Sequence, residues 1–91
     1  MEELRVKLLH EIIGIYGLSQ GQAIGAVIIP AFVGDFKKVV ESSDSFDEVS
    51  EEYMTEDKKI HLVIYGRKVL AGKGVDVEIT GYEINDRFET L

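Results

Sequence analysis

The strongest constraint in this sequence is a pair of alternating segments placed around a glycine-rich turn. Lys59–Ala71 sets Ile60, Leu62 and Ile64 on one side and His61, Val63 and Tyr65 on the other. Val75–Asn85 alternates Val75, Val77 and Ile79 against Asp76, Glu78 and Thr80, the period of a half-buried strand. Between them, Gly72-Lys73-Gly74 tolerates the positive φ that a tight hairpin turn requires. A β-hairpin over 59–85 follows. The alternation slips at Gly81, because Tyr82 and Ile84 take the parity held by acids before it. A β-bulge is expected there.

The remaining segments are read around this hairpin. Gln22–Phe32 is rich in Ile, Val and Ala without helical spacing, which predicts a buried strand ended by Pro30. Asp35 can cap a short helix carrying Phe36, Val39 and Val40. Ser45-Phe46-Asp47-Glu48 has capping-box spacing, with Phe46, Val49 and Tyr53 following on one helical face. Ser42 and Ser43 mark the break between the two pieces. Segment 4–18 supports two readings. Its Ile12-Ile13-Gly14-Ile15-Tyr16-Gly17 composition and the alternation of Leu4, Val6 and Leu8 favour a strand with a bulge, while its helical wheel allows a helix. The expected fold is therefore α+β: a mostly antiparallel sheet with one or two short helices (35–54) packed on one face. With 91 residues, the chain is read as a single domain, 1–91, too short for a TIM barrel.

Composition narrows the function. A formal net charge of −7 disfavours nucleic acid and anionic membrane surfaces as partners, since both recruit Lys and Arg. The absence of cysteine removes disulfides, thiolate metal sites and Cys nucleophiles. Small secreted domains lean on disulfide staples, and Met-Glu-Glu-Leu-Arg is not a signal-peptide start, so a cytoplasmic setting is expected. The apolar stretch Ala23–Val33 is too short to span a bilayer. One Asn, two Gln and no Cys among many charges match a thermophile's usage.

Several motifs begin but do not complete a chemistry. Gly17-Leu18-Ser19-Gln20-Gly21 matches the nucleophile elbow, which would make Ser19 a nucleophile and His61 its base. The expected strand after it and the short chain argue for a plain Gly/Ser loop. Gly66–Lys73 resembles a phosphate loop but has one residue too many and leads into a strand. His10-Glu11 starts a metalloprotease motif whose second histidine is replaced by Gly14. Residues 41–57 hold eight acids and no base. Asp44, Asp47, Glu48 and Glu51 are the candidates for a divalent cation such as Ca²⁺, but the EF-hand spacing is missing and a solvated helix face is the preferred account of the run. The following stretch, 58–73, carries five bases and no acid.

These readings point to a binding or assembly module rather than an enzyme, without a cofactor or a legible small-molecule ligand. Apolar runs at Ala23–Val33 and Ile60–Tyr65 imply cover on two sheet faces where the helices supply one. A two-fold homodimer built on the sheet is the expectation, with the acidic run meeting the basic hairpin across the axis. Weak cation binding at the acidic segment is the alternative function, and a small hydrolase using Ser19 and His61 stands below it.

Overall fold

A computed structural model of the chain describes residues 2–91. Two helices, α1 (Glu2–Tyr16) and α2 (Leu18–Glu41), precede four strands: β1 (Val49–Met54), β2 (His61–Ala71), β3 (Gly74–Ile84) and β4 (Arg87–Thr90). The strands form one antiparallel sheet in the order β1-β2-β3-β4. Leu4, Leu8 and Ile12 of α1 and Ile29, Phe32, Phe36 and Val40 of α2 share one core with Ile60, Leu62, Ile64, Tyr82 and Ile84. Helices therefore lie on one face of an antiparallel sheet, the α+β arrangement expected.

The hairpin forms as its alternation requires. Ala71 pairs with Gly74, leaving Gly72-Lys73 as a two-residue loop with Gly72 at φ 58°. A positive φ at the first loop position gives a strand-matching turn that glycine adopts without a Cβ penalty. The bulge also forms. Tyr65 pairs with Gly81 and Gly66 with Ile79, so Thr80 is the extra residue, one position from the glycine that signalled it. A second tight turn follows at Asn85-Asp86, both at positive φ (49° and 69°), and reverses the chain into β4.

Three expectations are corrected. Gln22–Phe32 is the middle of α2 and not a strand. Its Ile24, Ile28 and Ile29 continue into Phe32, Phe36 and Val40 on one helical side, and burial of that side overrides β-branched propensity. Gly21 and Gly25 explain the unusual composition. A Cβ at Gly21 would lie 2.6 Å from the Ile13 backbone, and one at Gly25 would lie 2.7 Å from Leu9. Glycine is required at 21, where the α1 backbone is the obstacle, whereas at 25 the obstacle is the end of the Leu9 side chain, which can turn aside.

Segment 4–18 takes its helical reading as α1, and the strand reading fails. The break falls at Gly17, φ 90°, a left-handed-side conformation that disfavours any side chain. Finally, no helix runs from 45 to 54. The helix expected from Asp35 is the end of α2, terminated at Ser42 as expected, and residues 49–54 form β1. Ser45 does accept a backbone hydrogen bond, but from Asp47 two residues on (2.9 Å), which closes a turn instead of capping a helix.

Candidate interaction surface

The candidate residues of the acidic run are spread over separate elements. Asp44 and Asp47 are exposed in the segment between α2 and β1. The Glu48 carboxylate accepts a hydrogen bond from the Thr80 hydroxyl (2.9 Å). Glu51 lies half-buried on β1, on the side shared with Val49 and Tyr53. Among the described residues no three Asp, Glu or His side chains converge as a metal site.

Ser19 and His61 are placed in different layers. Ser19 is exposed in the first turn of α2, and the match around it joins two helices, so no strand-to-helix elbow exists. A helix does follow the motif, contrary to the expected strand. His61 begins β2 and alternates with Ile60 and Leu62, both fully buried under the helices. Its ring therefore lies on the opposite sheet face. There His61 Nε2 stands 2.8 Å from a Glu52 carboxylate oxygen.

That open face is furnished with its own polar pairs. The Tyr65 hydroxyl donates to Glu83 (3.1 Å), and this bond, with partial desolvation, raises the phenol's pKa. Tyr65 also meets the Phe88 ring edge-on at 5.7 Å. Val63, flanked in register by Glu52 and Glu83, is only 9% exposed although no helix covers it. Met54 and Phe88 nevertheless stay about half exposed on this face. It offers a mixed surface rather than the bare apolar one expected for a sheet-built dimer.

The unsatisfied surface is on α2. From Ile12 to Gly34 the chain has no Asp, Glu, Lys, Arg or His. One side of α2 packs on α1 and the sheet, and the other exposes Ala23, Ala26, Val27, Pro30 and Ala31, with Val27 68% exposed. Beside this stripe, Val27, Ala31, Phe32, Asp35 and Tyr53 line a pit of about 140 Å³. Pro30 has no N–H for the Ala26 carbonyl, which is left on the exposed side. An exposed helix face ordinarily carries charged residues. This one carries none from Leu18 to Gly34. The uncharged tract was the available sequence signal, and reading the segment as a strand concealed it.

Comparison with protein-family models, with curated proteins and with solved structures gave no match. No helix among the described residues is long and apolar enough to cross a membrane.

Proposed function

We propose that the protein is a small assembly module that works as a two-fold homodimer through the outer face of α2. The observation that carries this reading is the uncharged stripe Ala23, Ala26, Val27, Pro30 and Ala31. Each copy bears a formal charge of −7, so charged surfaces of two copies repel on approach. The α2 stripe is a place where two copies meet without opposing like charges. Its small side chains suit helix axes about 8 Å apart. A helical stretch with no charge on any side, as α2 is from Leu18 to Gly34, ordinarily buries its sides.

The stripe from 23 to 34 is short, about 17 Å at 1.5 Å per residue. Such a contact falls below the roughly 800 Å² per partner of a standard interface, so association in the micromolar range is expected. We assign this module to the cytoplasm, on its cysteine-free composition.

Light scattering coupled to size exclusion tests the reading. At tens of micromolar, about 10⁻⁵–10⁻⁴ M, the protein should run at twice its 10.2 kDa mass. It should do so at physiological salt and at 1 M, where the Debye length is about 3 Å. Val27→Glu should give a monomer with an unchanged circular dichroism spectrum. A monomeric parent protein at these concentrations, or a dimeric Val27→Glu variant, would overturn the proposal.

A further inference from the structure

We propose that the free edge of β3 is a docking site for an extended, basic peptide segment that adds to the sheet as a fifth strand. The feature is a cleft of about 670 Å³ between the start of α1, the end of β4 and the strand edge. β4 pairs with β3 only from Ile84 back to Gly81, and the Leu91 amide adds a last bond to the Thr80 carbonyl (3.0 Å). Residues Gly74–Ile79 pair with β2 on one side and, among the described residues, with no strand on the other.

Five consecutive residues of β3, Asp76 to Thr80, line the cleft. Successive side chains of a strand point to opposite faces. A wall built from an unbroken run is therefore the strand's edge and not one of its faces. Val77 shows what that edge lacks. Its amide donates to the carboxylate of Asp76, the residue before it, at 2.8 Å, a local substitute for a strand partner. A peptide strand would exchange that bond for a ladder bond.

The lining specifies the visitor. Leu4, Val69 and Leu91 supply apolar contacts, whereas the charged lining residues are Glu3, Asp76 and Glu78. Glu3 pairs with Lys7 on its own helix (3.5 Å) and Glu78 with Arg67 across the hairpin (3.6 Å), both exposed pairs that a peptide's bases can exchange. An occupant alternating apolar and basic side chains would fill both requirements. A second copy's β3 edge would bring the three carboxylates against their own counterparts. The matching edge of β2 is treated differently. Beyond Gly66 it is flanked by the 43–48 segment, where Lys68 donates to the Ser43 carbonyl and lies over the Phe46 ring at 5.6 Å. One overhanging edge is covered and the other is open.

This site is separate from the α2 stripe and does not depend on dimerisation. The probe is a fluorescent heptapeptide alternating lysine and valine, titrated by anisotropy into the intact protein. Three controls accompany it: the same sequence with every backbone amide N-methylated, glutamate in place of each lysine, and the Glu78→Lys protein. Saturable binding is expected, about tenfold or more weaker in all three controls, since ladder bonds and charge each contribute more than 1.4 kcal/mol, a factor of ten. Amide NMR shifts should concentrate in 74–80 and 90–91. Equal binding by the methylated peptide, shifts centred on another surface, or no saturation up to about 1 mM would overturn the proposal.

Discussion

The Tyr16 hydroxyl, at the end of α1, donates a 2.6 Å hydrogen bond to the Asp57 carboxylate in the loop between β1 and β2. The two residues stand 41 positions apart, so the bond ties the helical layer to the sheet at one end of the molecule. Asp57 is also engaged within its own loop. It accepts from the Thr55 hydroxyl (2.7 Å) and the Lys59 amide (3.0 Å), while the Lys59 ammonium lies 5.5 Å from the Tyr16 ring centre. Three donors favour the ionised carboxylate. The Tyr16 bond, then the Thr55 and Lys59 bonds, hold the Asp57 pKa at about 2, below its ordinary 3.8. Partial burial and the bond to Asp57 raise the Tyr16 phenol above 10.0.

The pH dependence follows from the sign of each shift. A depressed carboxylate pKa stabilises the fold fully above the unfolded value, and the effect is lost as pH falls through the folded one. The Asp57 contribution should therefore disappear between about pH 4 and pH 2. Urea midpoints of the parent and Asp57→Asn proteins should differ at pH 7 and converge by pH 2. In Tyr16→Phe, the Asp57 carboxyl resonance should titrate above the parent's midpoint of about 2. The raised Tyr16 value works in the opposite window, stabilising below pH 10 and fading as pH climbs above it.

Helix α1 contains one glycine that no neighbour requires. A Cβ at Gly14 would meet nothing within 4 Å, and its backbone is helical. Gly14→Ala should raise stability by about 0.5–1 kcal/mol by restricting the unfolded chain. Gly21→Ala is its counterpart in α2, where the new Cβ would sit 2.6 Å from the Ile13 Cα. It should destabilise by about 1–3 kcal/mol through forced separation of the helices. Thermal unfolding of both variants checks the contrast in sign.

Pro30 interrupts the hydrogen-bond ladder of α2 from its exposed side. Pro30→Ala restores a donor for the Ala26 carbonyl and removes a penalty of about 3 kcal/mol in a helix interior. Greater freedom of the unfolded chain offsets part of that gain. A net increase of about 1–2 kcal/mol is expected in denaturant unfolding. A loss of stability would show that the proline ring itself is needed for packing.

The contrast between what the sequence disclosed and what it hid has a physical source. The β2–β3 hairpin was legible because its information is local: period-two alternation, a turn glycine, and a slip at Gly81 beside the Thr80 bulge. The helices were not, because their determinants are mutual. Gly21 belongs to a Gly/Ser loop by its neighbours in sequence, and its place inside a helix is explained only once Ile13 occupies the space above it, as Leu9 does at Gly25. Pro30 reads as a strand end unless the chain on both sides is already helical. Phe46, Val49 and Tyr53 have helical spacing, yet Val49 and Tyr53 lie on one face of a strand at a separation of four, which suits both periods. The apolar run 23–33 was visible, but neither candidate surface was. The α2 stripe depends on which side of the helix the sheet covers. The β3 edge depends on where β4 stops, and the signal for β4 was the short turn Asn85-Asp86.

Gly66 and Phe36 offer the sharpest test of the core. A Cβ at Gly66 would stand 2.9 Å from Phe36 Cε2 and 2.6 Å from the Glu78 carbonyl oxygen. The ring lies over the strand where β2 shifts register against β3, and Phe36 is fully buried. Gly66→Ala should cost about 2–3 kcal/mol as an overpacked core position. Phe36→Leu alone should cost about 1–2 kcal/mol, since it keeps the site apolar while leaving part of the ring's volume unfilled. The combination should cost less than the sum, by about 0.5–2 kcal/mol, because a leucine vacates part of the space the new methyl needs. It should remain less stable than Phe36→Leu alone, since the Glu78 carbonyl belongs to the backbone and cannot withdraw as a side chain can. Denaturant unfolding of the four proteins in this cycle measures both quantities. Simple additivity would mean that the backbone contact alone sets the requirement for glycine at position 66.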